Sequence, residues 1–501
     1  MSALTRPQRC RPSRAGRKSP HSTHAARLHH ARDAAAADHD AAPRAHALIL
    51  PYPAQGHVIP LMELAYCLID RGFAVTFVNT EHNHRRVVAA AAGAGGVQAP
   101  GSRARRLRLV AVADGMGDGD DRDNLVRLNA VMEEAIPPQL EPILDGAGGE
   151  GQLGKVTCVV VDVGMSWALD AVKRRGLPGA ALWAASAAVL AVLLGAQKLI
   201  RDGNNSFRLS EFTPPMDATF LAWNFMGNRD AERMVFHYLT SSARAAAAKA
   251  DILLCNSFVE LEPAIFTLKS PATILPIGPL RTGQRFAHQV EVVGHFWQTN
   301  DDTCLSFLDE QPYGSVVYVA FGSLTIMSPG QLKELALGLE ASGHPFLWVV
   351  RPGLAGNLPT SFLDATMGQG KGIVVEWAPQ EQVLAHPAVG CFVTHCGWNS
   401  TVESIRNGVP MLCWPYFTDQ FTNQIYICDI WRIGLKMVQT CGEGIVTKEI
   451  MVERLKELLL DEGIKERVQR LKEFAETNMS EEGESTRNLN AVVELMTRPM
   501  S

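Results

Sequence analysis

The sequence contains no pair of cysteines separated by two residues, so neither a zinc ribbon nor a thioredoxin-like redox site is indicated. Its ten cysteines are scattered, and several, such as Cys158 and Cys413, lie within apolar runs, which is typical of reduced thiols in a cytoplasmic protein. An excess of basic charge is also lacking, because the net charge is −5 and no basic stripe contains interleaved aromatic residues. Nucleic acid is therefore not an expected partner.

Long apolar runs are scarce as well. The best candidate for a membrane span, residues 179–196, is rich in alanine and barely long enough, and its flanking basic residues give no clear positive-inside asymmetry. A buried strand followed by a core helix explains this run better. We expect a cytoplasmic monomer without membrane insertion.

The first 44 residues lack the apolar side chains that a core needs. Nine Arg and Lys residues there face three acidic residues, among alanine, histidine, serine and proline. No apolar stretch of the length found in a secretory signal is present, and we expect a disordered extension. Two alternatives stay open: a misplaced start codon, and a transit peptide that directs the protein to a plastid.

From residue 45 onward, short apolar runs alternate with longer helical patterns, which predicts parallel βαβ units and an α/β fold. At 501 residues the chain is too long for one ordinary domain, so two Rossmann-like domains facing across a cleft are predicted. A stretch rich in proline and glycine at 275–300 predicts a linker. The predicted division is an extension at 1–44, an acceptor-binding domain at 45–280, a linker at 281–300, a donor-binding domain at 301–480 and a final helix at 481–501. Strands are predicted at 47–51, 74–79, 107–112, 157–161, 179–183, 251–256, 315–320, 346–350, 372–376, 390–394 and 410–414.

Two short motifs suggest other chemistry but lie in the wrong places. A G-x-G-x-x-G pattern at Gly146, Gly148 and Gly151 precedes a strand, so its glycines cannot present a helix N-terminus to a dinucleotide. Asp118 and Asp120 have the D-x-D spacing of some metal sites, but we favour a solvated loop because glycines surround them. An NAD(P)-linked oxidoreductase therefore stays a weaker alternative, testable by nicotinamide-cofactor binding.

The most informative stretch is residues 377–420, WAPQEQVLAHPAVGCFVTHCGWNSTVESIRNGVPMLCWPYFTDQ. It closely resembles the 44-residue signature of plant family 1 UDP-glycosyltransferases, and a looser resemblance extends from residue 45 to the end. The resemblance implies the GT-B fold, a UDP-sugar donor substrate, a small lipophilic acceptor, and neither a separate cofactor nor a metal. A noncatalytic relative that keeps the donor site is a second alternative.

The chemistry of a UDP-sugar explains several residues of this stretch. Trp377 can stack on uracil, and Glu403, four residues after Asn399 on one helix face, can accept hydrogen bonds from both ribose hydroxyls. Alternatively, Trp377 could be a core residue and Glu403 an exposed surface residue, neither of them in contact with a ligand. His395 begins a strand-to-helix turn whose first N–H groups point at an anion, which predicts a diphosphate site.

The resemblance assigns further roles. Ser323, in a turn after another predicted strand, is expected to contact phosphate, and Asp419 and Gln420 are expected to bind sugar hydroxyls. Gln420 stands where some relatives have histidine, which favours glucose over galactose. The predicted donor-site residues are Ser323, Trp377, Ala378, Gln380, His395, Gly397, Trp398, Asn399, Ser400, Glu403, Asp419 and Gln420, and no metal ligand is predicted.

His57 and Asp162 are the predicted catalytic pair. Each follows a predicted strand at the carboxyl edge of a sheet, where open α/β folds bind ligands, and both match the catalytic histidine and aspartate of the family. His57 would act as the base and Asp162 would orient it, although Asp162 could instead cap the helix that follows. The sequence thus predicts an inverting UDP-glucosyltransferase acting on flavonoids or other phenolics of secondary metabolism, with an acceptor pocket around 184–194, 212–225 and Arg85.

Overall fold

The structure is a computed structural model that describes most of the chain beyond the first 41 residues. The described residues are 42–93, 105–146, 153–202, 206–224, 228–268, 272–280, 296, 301–360, 362–363, 366, 370–437 and 444–498. The predictions for residues 1–41, for the glycines of 147–152 and for nearly all of 281–300 lie outside these ranges.

The first half of the chain is built around a parallel sheet. Its strands are β1 (His46–Leu50), β2 (Ala74–Thr80), β3 (Leu107–Val112), β4 (Cys158–Asp162), β5 (Gly179–Trp183), β6 (Ser206–Phe207), β7 (Met216–Asp217), β8 (Ile252–Cys255) and β9 (Ile274–Pro276). Within the described ranges seven of them form the sheet, in the order β3-β2-β1-β4-β5-β8-β9, and β6 pairs with β7. β1, β4 and β5 are buried along their whole length, as expected for strands with helices on both faces.

Helices cover this sheet. They are α1 (Gln55–Ile69), α2 (Glu81–Gly93), α3 (Leu125–Ala135), α4 (Pro137–Leu144), α5 (Leu169–Arg174), α6 (Ala187–Asp202), α7 (Arg229–Lys249) and α8 (Pro263–Phe266), with 3₁₀ turns at Val163–Ala168 and Ala218–Phe220. The buried carboxylate of Glu262 accepts hydrogen bonds from the N–H groups of Ala187 and Ala188, and therefore caps the start of α6.

The second half repeats this plan. Its strands are β10 (Val316–Ala320), β11 (Phe346–Val349), β12 (Gly372–Val375), β13 (Val389–Thr394), β14 (Met411–Cys413) and β15 (Gly434–Lys436). Its helices are α9 (Asp301–Asp309), α10 (Pro329–Ser342), α11 (Pro352–Ala355), α12 (Gln380–Ala385), α13 (Trp398–Asn407), α14 (Gln420–Ile425), α15 (Lys448–Leu460), α16 (Glu462–Asn478) and α17 (Glu484–Met496), with a π turn at Tyr426–Ile430. As far as the chain is described, the six strands are parallel, in the order β12-β11-β10-β13-β14-β15.

The α/β class and the two Rossmann-like sheets agree with the prediction, whereas some element limits do not. β9 overlaps the start of the proline- and glycine-rich stretch at 275–300, and neither β9 nor β15 is predicted from the sequence. Helix α1 begins at Gln55, so His57, which the sequence places only after a strand, lies in the first turn of a helix. The predicted limits of the domains stay predictions.

The last helix packs on the first half of the chain. Leu489, Val492 and Met496 of α17 belong to the same apolar cluster as Ile49 and Phe77 of the first sheet. Asparagine and serine side chains reinforce this contact, since Asn488 Nδ2 donates to the Pro276 carbonyl at 2.8 Å and Ser485 Oγ donates to the Gly278 carbonyl at 2.5 Å. None of the helices in the described ranges has the length and apolar character needed to cross a membrane.

Candidate active site

The predicted site residues gather at two equivalent positions of the two sheets. In each sheet the strand order reverses at one point, between β1 and β4 in the first and between β10 and β13 in the second. Ligands of open α/β sheets bind at the carboxyl ends of the strands that flank such a point. His57 follows β1 and Asp162 ends β4, while Ser323 follows β10 and His395 follows β13.

His57 and Asp162 form a hydrogen-bonded pair. Nδ1 of His57 lies 2.7 Å from Oδ2 of Asp162, whose side chain is 1% exposed, whereas the His57 side chain is 33% exposed. The other carboxylate oxygen, Oδ1, accepts a hydrogen bond at 2.7 Å from the N–H of Gly164. Asp162 thus both orients the histidine and caps the 3₁₀ turn, so the two interpretations made from the sequence are compatible.

The pair sets the protonation of His57. Because Nδ1 faces a carboxylate, neutral His57 keeps its proton on Nδ1 and leaves Nε2 free to accept one. Burial lowers the pKa of His57, but the charge and hydrogen bond of Asp162, followed by the charge of Asp419, outweigh it and raise the pKa above 6.5. Asp419 belongs to the second half of the chain, so the charge of a residue in one half affects the pKa of His57 in the other.

Two tyrosines, Tyr52 and Tyr238, lie next to the His57–Asp162 pair. The Tyr52 ring lies 5.1 Å from the His57 ring, and its hydroxyl donates to Asn129 Oδ1 at 2.8 Å. Tyr238 of α7 donates to the Gly164 carbonyl at 2.6 Å, and thereby holds the turn whose N–H binds Asp162. These tyrosines were not predicted, because their sequence positions show no pattern that relates them to His57.

His395 lies between two glycine-containing turns. A methyl group at Gly322 would come within 2.6 Å of His395 Nε2, and one at Gly397 would collide with the same atom. Nδ1 is buried and has no hydrogen-bond partner among the residues that the structure describes, and burial lowers the pKa of His395 to about 4. The neutral ring therefore places its proton on Nε2, because a buried N–H without an acceptor at Nδ1 would be costly. His395 and His57 thus have opposite tautomers, a donor and an acceptor.

Strained backbone marks the loops around His395. Cys396 and Thr418 have φ angles of 66° and 56°, which residues other than glycine rarely adopt. Asn423, which is fully buried, joins the two loops: Nδ2 donates to the Cys396 carbonyl at 2.9 Å and to Asp419 Oδ2 at 2.8 Å. Sequence reasoning missed Asn423, since only its position four residues after Asp419 on a helix hinted at the contact.

Residues of the predicted nucleoside site form a second cluster. Trp377 and Ala378 lie in the loop between β12 and α12, with Ala378 buried. Gln380 Nε2 donates to Ser400 Oγ at 2.9 Å and to Glu403 Oε2 at 2.7 Å, so this amide positions its neighbours. Both of its hydrogens are therefore engaged within the protein.

Burial and a neighbouring carboxylate both disfavour the ionised form of Glu403. Burial and the charge of Glu381 raise the pKa of Glu403, against the hydrogen bond of Gln380 and the charge of Arg406. When it is ionised, this carboxylate can accept two hydroxyl hydrogen bonds.

Asp419 and Gln420, the residues predicted to bind the sugar, already use several of their side-chain atoms in hydrogen bonds within the protein. Oδ1 of Asp419 accepts from the Thr418 hydroxyl and Oδ2 from Asn423, and burial raises the pKa of Asp419. Gln420 is buried, and its Oε1 accepts from the backbone N–H groups of Tyr416 and Phe417 at 2.8 and 3.1 Å. The amide carbonyl of Gln420 therefore shapes its own loop, and only its NH₂ group can point elsewhere.

Trp398 connects the halves of the chain. Its side chain is 3% exposed, and its indole N–H donates to the Asn256 carbonyl, beyond β8, at 2.9 Å. Trp398 can therefore offer only backbone atoms to a ligand at the turn. Trp431 makes a similar contact, donating its indole N–H to the Leu261 carbonyl at 2.8 Å.

Arg351, two residues after the end of β11, is a further residue that the sequence did not single out. Its guanidinium donates to the carbonyls of Ser323 and Thr325, the latter at 2.6 Å, and so fixes the loop after β10.

The segments predicted to line the acceptor pocket differ in exposure, since Leu190 and Leu193 are buried in the core while Phe212 is 77% exposed. No group of three or more potential metal ligands occurs in the ranges that the structure describes.

Comparisons with known proteins identify the architecture and the family. The structure of Phytolacca americana UGT2 with UDP-2fluoro-glucose and pterostilbene matches 91% of this chain and 100% of its own, with a TM-score of 0.74 and 28% identity. The two sheets and their facing switch points therefore define a glycosyltransferase of the GT-B fold.

Sequence comparisons narrow this class. The UDP-glucoronosyl and UDP-glucosyl transferase family matches residues 281–478. UDP-glycosyltransferase 83A1 of Arabidopsis thaliana is 35% identical over 463 residues, 90% of this chain and 96% of that protein. 7-Deoxyloganetin glucosyltransferase of Gardenia jasminoides is also 35% identical, over 90% of this chain and 97% of its own length. The chain belongs to the plant family 1 UDP-glycosyltransferases, which are inverting, metal-independent enzymes acting on small plant molecules without a separate cofactor.

Proposed function

We propose that this enzyme transfers glucose from UDP-glucose to a hydroxyl of a small lipophilic acceptor, with His57 as the base and Asp162 as its orienting partner. The observation that carries the proposal is the 2.7 Å hydrogen bond between His57 Nδ1 and Asp162, which leaves Nε2 free in a side chain that is one-third exposed. In this step Nε2 takes the acceptor proton, and the acceptor oxygen forms a bond to the anomeric carbon. The bond from that carbon to the UDP phosphate oxygen breaks, which converts an α-linked donor into a β-glycoside.

The departing UDP would be stabilised at the turn that begins with His395. The neutral ring can donate from Nε2, and the first N–H groups of α13, from Trp398 onward, lie at the positive end of a helix dipole. Ser323 would add a hydroxyl from the opposite side of the same switch point. We propose that Trp377 stacks on uracil, that Glu403 binds ribose, and that Asp419 and the NH₂ group of Gln420 bind the glucose hydroxyls.

The acceptor is proposed to be a phenolic compound such as a flavonoid. Aromatic side chains near the sugar site support a flat apolar ligand: Tyr416 is 49% exposed, and the rings of Phe220 and Phe421, from the two halves, lie 5.1 Å apart. The related structure contains pterostilbene, a phenol, but another relative is named for 7-deoxyloganetin, which is not a phenol. An iridoid alcohol is therefore the second acceptor class that we would test.

The cellular setting is proposed from the same chemistry. Cys158 and Cys391 are buried, and burial raises the pKa of each thiol to about 12, so neither is poised for redox reactions. Such thiols support the proposal of a cytoplasmic enzyme, and a monomer remains our prediction for its assembly.

The test is a transfer assay with purified protein, UDP-glucose or UDP-galactose, and a panel of phenols and iridoid alcohols. We expect a mass gain of one hexose from UDP-glucose and a β-linkage by NMR. His57→Ala should lower turnover by about 10²- to 10⁴-fold while UDP binding, measured by calorimetry, stays nearly intact. Unchanged turnover would remove His57 as the base, and absence of UDP binding by the wild type would remove the donor assignment.

A further inference from the structure

Asn399 makes a contact that its predicted role as a donor-site residue does not require. Its Nδ2 donates to the Gly56 carbonyl at 2.8 Å, and so joins helix α13 of the second half to helix α1 of the first. Gly56 directly precedes His57. The bond therefore connects the proposed diphosphate turn to the backbone that carries the proposed base.

The Gly56 carbonyl is available because of a proline. In helix α1 the carbonyl of Gly56 would ordinarily accept the N–H of residue 60, four positions later. Residue 60 is Pro60, which has no N–H, so this bond cannot form. The contact is exposed to solvent, so the Asn399 amide takes the place that a water molecule would otherwise have as donor to this carbonyl.

The side chain and the backbone N–H of Asn399 point to different partners, the Gly56 carbonyl and the turn that begins with His395. The Gly56 carbonyl accepts only, so the amide must turn Nδ2 towards it. Asn399 is also the second residue of α13, where the backbone N–H has no partner within the helix and faces the turn that begins with His395. The residue can thus bind an anion through its backbone while its side chain holds the opposite half.

We infer that Asn399 is a positioning residue, which holds the donor half against the first turn of α1 through the carbonyl that Pro60 leaves free. This contact will be called the Asn399 latch. The inference rests on the proposed roles of His57 and of the His395 turn, and it replaces the expectation that the Asn399 side chain binds the donor. The latch sets the distance between base and donor, so its loss should lower kcat and leave UDP affinity nearly unchanged.

The test is a double-mutant cycle with Asn399→Ala and Pro60→Ala. Asn399→Ala should lower kcat about tenfold, as expected for one hydrogen bond, and change the Kd of UDP by less than about threefold. Pro60→Ala introduces an N–H that competes for the Gly56 carbonyl, so Asn399→Ala should lose most of its effect in that background. Asn488→Ala is the matched control, because it removes an asparagine–carbonyl bond of the same length, between α17 and Pro276, that involves neither α1 nor the turn that begins with His395, and it should leave kcat unchanged.

Hydrogen exchange provides a measurement that does not depend on turnover or on the acceptor. Amides of residues 55–59 should exchange faster in Asn399→Ala than in the wild type, both with and without UDP, and Asn488→Ala should not change them. Equal exchange, or an equal loss of kcat in both Pro60 backgrounds, would overturn the latch. A tenfold loss of UDP affinity with unchanged kcat would make Asn399 a donor ligand instead. If the wild type binds UDP but substitutions of His57 leave transfer unchanged, His57 is not the base. The hydrogen-exchange result tests the Asn399 latch independently of that outcome.

Discussion

Replacing Asp162 by asparagine would separate the two hydrogen bonds that this carboxylate makes. Oδ1 accepts from the Gly164 N–H and Oδ2 from His57 Nδ1, each at 2.7 Å. In Asp162→Asn the amide oxygen would stay on the Gly164 N–H, because only an oxygen can accept there. The NH₂ group would then face His57 Nδ1 and force the imidazole proton onto Nε2, the atom that must accept the acceptor's proton.

The size of the effect follows from the electrostatics of His57. An opposite charge at this distance shifts a pKa by about 1 to 3, which corresponds to about 1.4 to 4 kcal/mol. Burial lowers the pKa of His57, and Asp162 is the main reason that the pKa nevertheless lies above 6.5. Without the carboxylate the burial effect dominates, so we expect the pKa of His57 to fall below 6.5 and the rate to fall by about 10²- to 10⁴-fold.

The assay is kcat/KM for UDP-glucose transfer as a function of pH, from about pH 5 to about pH 9, which reports the ionisation of the free enzyme. The base is active when unprotonated, so the wild-type rate should rise with pH through a midpoint above 6.5, and the Asp162→Asn midpoint should lie below it. Asp162→Ala serves as a comparison, since it also loses the turn cap and should cost about 0.5 to 2 kcal/mol of stability that the asparagine variant retains. The same midpoint and rate in wild type and Asp162→Asn would refute this account of the pair.

Two more predictions concern buried side chains that hold loops and helix ends. Glu262→Gln should lower the free energy of unfolding by about 1 to 3 kcal/mol, because an NH₂ group would replace one of the two oxygens that accept from Ala187, Ala188 and Ser257. Urea unfolding measures this change, and an unchanged free energy of unfolding would contradict the capping role. Asn423→Ala should raise KM for UDP-glucose and lower stability by a similar amount, since Asp419 would lose a buried donor; steady-state kinetics and thermal unfolding test this, and an unchanged KM would speak against it.

The elements that the sequence predicts well are those whose burial is visible in their composition. Strands β1, β4, β5 and β10 lie between helical layers, so each appears as a short apolar run. Parallel strands also end at one edge of the sheet, so the sequence alone predicts that the polar residues following them lie close together. Strands β9 and β15 are three residues long and contain Pro276 and Gly434, so no such run marks them.

The features that the sequence does not reveal depend on contacts between distant segments. Pro60 hides the true start of α1, because the donor that replaces its missing N–H comes from Asn399, more than three hundred residues away. Trp398 looks like a ligand residue within its motif, yet its indole is engaged by the Asn256 carbonyl. Asn423 becomes informative only when two loops with strained backbone lie side by side.

The return of α17 to the first sheet has a consequence for recombining this enzyme with its relatives. A chimera joined once, between the two sheets, would combine the first half of one parent with the α17 of another, and the apolar contacts of Leu489, Val492 and Met496 would then be mismatched. An exchange of acceptor specificity should therefore transfer two separate pieces of sequence, the amino-terminal half together with the last helix.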